Sequence, residues 1–111
     1  LGPEAELRAR LSAIDGVDVA AVFGSWARGS DLRPTSDIDV LVVGNARFED
    51  VADAVAAVEE TVNREIQVVP LTWEELDERL ASDSGFVKNV LEGPLTPLVG
   101  DVEQLKERRR G

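Results

Sequence analysis

Two short apolar segments limit the folds open to this chain more than any other feature of its 111 residues. Val17–Phe23 and residues 38–43 are too short for core helices; Gly16 and Gly24 flank the first, and Gly44 follows the second. Short apolar runs bounded by turn residues are typical of buried strands. Residues 24–36 between them are rich in Gly, Ser, Asp and Pro, which predicts a loop-like insert with a short helix beginning at Ser25.

The rest of the chain shows helical and strand patterns in alternation. Thr72 and Glu75 have the spacing of a capping box at a helix start, and Pro70 indicates that its strand lies near a sheet edge. The order αβ(α)βαβααβα therefore predicts one α/β domain. Further helices are predicted over residues 3–14, 48–62, 72–80 and 84–91 and from 101, and further strands over 65–71 and 95–99.

Composition narrows the chemistry. The chain contains no Cys, His, Tyr or Met, which excludes disulfide scaffolds, thiolate or histidine zinc sites, and Ser-His-Asp catalysis. No apolar run is long enough to span a bilayer and no signal peptide is visible, so we expect a cytoplasmic protein without membrane contact. Residues 1–111 fit a single domain, and the start at Leu1 without a Met predicts an excerpt of a longer protein.

Charge argues against nucleic acid as a partner. With 22 acidic and 12 basic residues the chain carries a formal charge of −10, whereas nonspecific binding to DNA or RNA depends on cationic contacts to phosphate. The only basic cluster, residues 108–110, is interpreted as a frayed helix end or a linker. We therefore expect no direct binding of nucleic acid by this domain.

Asp37 and Asp39 precede and enter the second predicted strand. Side chains alternate along a strand, so the two carboxylates share one face about 7 Å apart at the backbone and can converge on one divalent cation. If the first two strands pair antiparallel, the end of the first lies beside the start of the second. This arrangement would place Ser25 a few ångströms from both acids.

Gly24, Ser25 and Arg28 form a predicted phosphate cradle. Gly24 lets the backbone approach a ligand, the hydroxyl and amides after it can hold phosphate oxygens, and Arg28 can add a cationic contact. Either the Gly-Ser turn or the Asp-x-Asp pair alone is more often structural. Together, on two apolar strands, they favour phosphoryl or nucleotidyl transfer.

The motif also resembles a known family. Phe-Gly-Ser-x-Ala-Arg-Gly from Phe23, followed by Ser-Asp-Ile-Asp-Val from Ser36, is similar to the signature of the DNA polymerase beta superfamily of nucleotidyltransferases, in particular its minimal members. The resemblance implies a mixed sheet flanked by helices, Mg²⁺ (or Mn²⁺) on Asp37 and Asp39, and the phosphates of ATP or another NTP at Gly24 and Ser25. We add Arg28 and Ser36 to the predicted nucleotide-binding residues.

One position departs from that family. Active members carry a third carboxylate on the following strand, where it ligates metal and activates the acceptor hydroxyl. Gln67 best matches that position here, and an amide cannot take a proton from an alcohol. Glu65 lies two residues earlier on the same face of the strand and is the candidate substitute, although a solvated strand end is the more ordinary role for it.

The predicted function is transfer of a nucleotidyl group, AMP from ATP, to the hydroxyl of an unidentified protein or small molecule. Two alternatives remain: a nucleotide- or metal-sensing module attached to a DNA-binding domain outside this chain, and an antitoxin that acts on or blocks a small helical toxin. Trp26 either covers the cradle and stacks on a base or packs the loop onto the domain. Trp73 is interpreted as a packing residue at a helix start.

Overall fold

The computed structural model describes residues 2–29, 37–82 and 85–111. The strands are β1 Val17–Phe23, β2 Ile38–Gly44, β3 Ile66–Leu71 and β4 Thr96–Val99. The helices are α1 Pro3–Ser12, α2 Gly24–Arg28, α3 Phe48–Val62, α4 Trp73–Ala81, α5 Phe86–Glu92 and α6 Glu103–Arg110. This is the predicted element order.

The four strands form one mixed sheet in the order β3-β2-β1-β4. β1 pairs antiparallel with β2 and with β4, whereas β2 and β3 run parallel and are connected through α3. The two strands read as buried from the sequence are the two central ones, and Pro70 lies on an edge strand as predicted. The predicted fold class, a mixed α/β sheet flanked by helices, is confirmed.

Helices cover both faces of the sheet. One core joins Leu7 and Leu11 of α1 and three valines of α3 to Val22 and Val40 of the strands. The other packs Leu76 of α4, two residues of α5 and Leu105 of α6 against the opposite face. Since side chains alternate along β2, odd-numbered residues such as Leu41 lie on the side of α4, α5 and α6.

Element boundaries differ from the predicted ones by a few residues. α1 ends at Ser12, because Ala13 is already its C-cap and the chain turns before β1. β4 begins at Thr96, and the last helix begins at Glu103. The capping box of α4 is confirmed: Thr72 accepts from the Glu75 amide and its own N–H donates to the Glu75 carboxylate.

The C-terminal arginines correct one prediction. Residues 108–110 are neither frayed nor a linker but the last turn of α6. Arg108 donates to both carboxylate oxygens of Asp77 in α4 at 2.8–2.9 Å, Arg109 pairs with Glu92 of α5, and Arg110 pairs with an acid within α6. Each arginine therefore contacts an acidic side chain of the same chain, and two of these contacts tie α6 to α4 and α5.

Trp73 has the packing role predicted for it. Its indole N–H donates to Asp18 at 2.8 Å, and the guanidinium of Arg108 lies 4.6 Å from its ring centroid. The pairing of β1 with β2 shifts register around Asp18, between Val17 and Val19.

No helix within the described ranges is long and apolar enough to cross a membrane.

Candidate nucleotide and metal site

The pairing of β1 with β2 brings the two halves of the sequence motif together. Phe23, the last residue of β1, is the register partner of Asp39, the second residue of β2. α2 starts immediately after Phe23, so Gly24 and Ser25 lie beside the start of β2. The predicted antiparallel arrangement is thereby confirmed for these strand ends.

Gly24 makes the closest approach at this junction. Its φ is +75°, and a Cβ placed on it would lie 2.8 Å from Oδ2 of Asp39. A side chain at this position would therefore be strained by its backbone and would also collide with the carboxylate. The sequence places glycine where the Asp39 carboxylate lies against the start of α2.

Asp39 lies on the side of the sheet covered by α4, α5 and α6, because it is two residues before Leu41. Burial of its carboxyl group raises the pKa of Asp39 above the ordinary value of 3.8, and the charge of Asp37 raises it further. Asp37 itself is exposed, immediately before β2. Two carboxylates in this relation are easier to keep ionised when a cation lies between them.

The parallel pairing of β2 with β3 places Gln67 directly beside Asp39. The Ile38 amide donates to the Glu65 carbonyl at 3.0 Å, so Glu65 lies one step earlier along the edge strand, level with Asp37. Both Gln67 and Glu65 are exposed. In the described part of the chain no three acidic side chains come together as a possible metal site, so Glu65 does not complete such a cluster.

The donor set fits one Mg²⁺ ion. Asp37 and Asp39 would supply carboxylate oxygens, the ligands that this hard cation prefers, and Gln67 would add a neutral amide oxygen from the same face of the sheet. Mg²⁺ commonly takes its other ligands from water and substrate phosphates, so two protein carboxylates are enough. A second ion would lack the third carboxylate.

The other predicted binding residues are distributed around the end of β1. Ser25 is partly buried in the first turn of α2, and the exposed Arg28 ends that helix. Ser36 lies outside the described residues. Trp26 packs against the core under α1 and α3, with the guanidinium of Arg64 4.6 Å from its ring centroid. That core is on the other face of the sheet from Asp39, so the packing interpretation of Trp26 is confirmed.

A cavity of about 220 Å³ opens next to Gly24 and was not anticipated from the sequence. Phe23, Gly24 and Arg28 line one side of it, and Phe86 and Asn89 of α5 line the other. The only local signal for α5 was its helical pattern, which predicts a buried stripe and says nothing about the residues facing β1. An exposed aromatic residue beside a motif is recognisable only in three dimensions.

Comparison with known proteins shows which family the chain matches. The family model described as "Nucleotidyltransferase domain" matches residues 4–93, a range that contains the cradle, both acids and β3. No curated protein matches the sequence significantly.

Three of the solved structures with a similar fold are toxin–antitoxin complexes. A toxin–antitoxin with AMP-PNP matches with a TM-score of 0.68 and 16% identity, over 96% of this chain and 81% of that one. The MntA–HepT complex matches with a TM-score of 0.61 and 14% identity, over 97% and 79%. The tri-AMPylated Shewanella oneidensis HEPN toxin with MNT antitoxin matches with a TM-score of 0.58 and 12% identity, over 96% and 77%. At these identities the likeness shows a shared fold.

Proposed function

Because the chain belongs to the nucleotidyltransferase domain family, as its motif predicted, we propose that it transfers AMP from ATP to an acceptor hydroxyl with Mg²⁺ as cofactor. The observation that supports this proposal is the pairing of Phe23 with Asp39, because it brings Gly24 and Ser25 beside the start of β2, where Asp37 and Asp39 lie. Positioning and charge neutralisation are what phosphoryl-group transfer chiefly requires of a protein.

Each residue has a defined task in this proposal. Gly24 admits the phosphates close to the backbone, the Ser25 hydroxyl and nearby amides bind their oxygens, and Arg28 balances their charge. Asp37 and Asp39 hold Mg²⁺, which when bound neutralises and orients the phosphates. In the transfer, the acceptor oxygen bonds to the α-phosphorus, the bond to the pyrophosphate oxygen breaks, and the hydroxyl proton passes to a base.

The acceptor side of the proposed site lacks the carboxylate that the family resemblance implies. Gln67 lies beside Asp39 where the family resemblance implies a carboxylate, and its amide cannot accept the hydroxyl proton. General-base assistance is worth about 10²–10⁴ in rate. The proposal is therefore an enzyme that binds Mg²⁺ and ATP well and transfers slowly, with water or Glu65 taking the proton.

Two other functions are consistent with particular observations. Gln67 beside Asp39 favours a module that binds a nucleotide without transferring it, as in a sensor fused to a DNA-binding domain. The toxin–antitoxin complexes among the solved structures, one holding an AMPylated toxin, favour a protein as the acceptor and partner. In the antitoxin alternative, the same nucleotidyl transfer would have a helical toxin as its acceptor.

Label transfer from α-labelled NTPs tests the proposal. The protein is incubated with each NTP, Mg²⁺ or Mn²⁺ and cell extract, and we expect a slowly labelled product that is absent in Asp39→Asn. Gln67→Asp should raise the rate by about 10²-fold or more if residue 67 can hold the missing base. Glu65→Gln should change little.

The outcomes separate the candidates. Fast wild-type transfer that disappears in Glu65→Gln would make Glu65 the third catalytic acid. Tight Mg²⁺-dependent ATP binding with no labelled product in the wild type or in Gln67→Asp would favour the sensor. Transfer with unchanged rate in Asp39→Asn would refute the site itself.

A further inference from the structure

The cavity of about 220 Å³ beside Gly24 is continuous with the proposed phosphate cradle. Gly24 and Arg28 line it, and both also belong to the cradle. Pockets for whole drug-sized ligands measure about 300–1,000 Å³, so this one has room for a single ring system and not for a complete nucleotide. Its occupant is therefore one part of a larger ligand.

The sheet order determines which part that is. From one edge inward, the strands bring Gln67 on β3, Asp39 on β2 and Phe23 on β1 to the same end of the sheet. The cavity adjoins Phe23 and α5, on the far side of Asp39 from Gln67. If the acceptor approaches beside Gln67, as the proposed function requires, the cavity lies on the nucleotide's side.

The cavity wall suits a flat heteroaromatic ring. Phe86 packs edge-to-face on Phe23, with ring centroids 6.1 Å apart and planes at 76°, which holds the Phe86 ring in place. Even so, Phe86 remains 47% exposed. Its free surface is available to stack against a base.

Asn89 supplies a polar contact on the same wall. It lies one helical turn after Phe86, so both side chains face the cavity. An asparagine amide donates and accepts at once, which matches the adjacent N6 and N7 of adenine. Arg28, at the α2 side, is cationic and complements the phosphates that would follow the sugar.

We propose that this cavity binds the nucleobase, with Phe86 stacking on the ring and Asn89 reading its edge, so that α5 determines the preference for adenine. The inference rests on the proposed function. It adds base specificity to a site whose motif residues contact only phosphates and metal.

Calorimetric binding of three probes tests the inference: Mg²⁺–ATP, Mg²⁺–GTP and Mg²⁺–tripolyphosphate. Phe86→Ala should weaken ATP about tenfold, the scale of one base–aromatic stack, and leave tripolyphosphate unchanged. Phe48→Ala is the matched control, because Phe48 is also exposed (61%) but lines a different cavity, with Val42 and Pro70. Phe48→Ala should change the affinity for neither ATP nor tripolyphosphate.

A specificity switch gives a readout that loss of folding cannot imitate. Asn89→Asp replaces a donor and acceptor by an acceptor alone, which suits the N1 and N2 donors of guanine and disfavours adenine. The ratio of ATP to GTP affinity should fall at least tenfold while tripolyphosphate binding falls only slightly. The melting temperature of each variant checks that it is folded.

Three results would overturn the inference. If the wild type binds tripolyphosphate as tightly as ATP, the base contributes nothing, while the phosphate and metal site stands. If Phe86→Ala weakens ATP and tripolyphosphate equally, or Asn89→Asp leaves the ATP to GTP ratio unchanged, the cavity does not hold the base. If none of the three probes binds, the proposed function fails and this inference fails with it.

Discussion

Gly24 and Gly29 form a natural pair for testing the site at the scale of single residues. Both have positive φ, +75° and +68°, but a Cβ on Gly24 would meet Asp39 whereas one on Gly29 meets nothing within 4 Å. Alanine should cost about 1–2 kcal/mol of stability at Gly29, the cost of a left-handed backbone, and more at Gly24, where it also meets Asp39. Only Gly24→Ala should also abolish Mg²⁺–ATP binding, measured by calorimetry. Equal binding by the two variants would mean that the contact with Asp39 has no part in the site.

Asp39 should lower the stability of the metal-free protein although it contributes to ligand binding. Because its pKa is raised in the folded state, its contribution to stability is greatest in acid, below its unfolded pKa, and is lost as pH rises through the folded value. Asp39→Asn should therefore melt above the wild type at neutral pH without metal, and the difference should vanish in acid. Asp53→Asn removes the same charge at an exposed position of α3 and is the matched control.

Added Mg²⁺ and ATP should reverse the order of the melting temperatures of the wild type and Asp39→Asn. A ligand at about 100 times its dissociation constant adds about 2.7 kcal/mol to stability. The wild type should gain this and Asp39→Asn should not, as monitored by thermal melting. An equal gain in both would show that the nucleotide's metal lies elsewhere.

At the scale of elements, the open edge of β3 is protected from pairing with another strand. Glu65 directs its carbonyl to β2, so the next residue, Ile66, directs its backbone to the open edge, and so does Pro70 four residues on. The Ile66 N–H donates to the Glu59 carboxylate of α3 at 2.8 Å, and Pro70 has no N–H to offer.

Removing both protections should allow the edge of β3 to pair with a strand of another molecule. Glu59→Ala with Pro70→Val exposes two edge donors, and we expect dimers or larger species to grow with protein concentration in sedimentation velocity. Glu59→Ala alone should also lower the stability by about 1–2 kcal/mol through its lost hydrogen bond. Glu60→Ala, an exposed neighbour on the same helix, should do neither. A double variant that stays monomeric would show that these two residues do not guard the edge.

How far the elements could be predicted depended on how local their signals were. β1 and α3 were predicted to the residue, because an apolar run and a helical stripe are written in consecutive residues. The approach of the turn after β1 to the start of β2 followed from one assumption, antiparallel pairing. The contact of Phe86 with Phe23 joins residues far apart in sequence with no motif to link them, so α5 was not assigned to the site.

At the scale of the whole molecule, the net negative charge should prevent binding to nucleic acid. The chain carries −10, and the arginines at 108–110 each contact an acid of the same chain. We expect no binding to duplex DNA in fluorescence anisotropy even at low salt, where nonspecific affinity is greatest. The triple variant Asp77→Ala, Glu92→Ala, Glu103→Ala frees the arginines and is the informative comparison. Salt-sensitive binding by the wild type would contradict this expectation.

The pairing of Phe23 with Asp39 also bears on how such sequences can diverge. Hydrogen bonds between β1 and β2 set the distance from the cradle to the acids, not the number of residues between Gly29 and Ser36 in the sequence. Lengthening a connection costs little, since each doubling of a flexible loop adds only about 0.6 kcal/mol. A search for related chains should therefore fix the two half-motifs and let the number of residues between them vary.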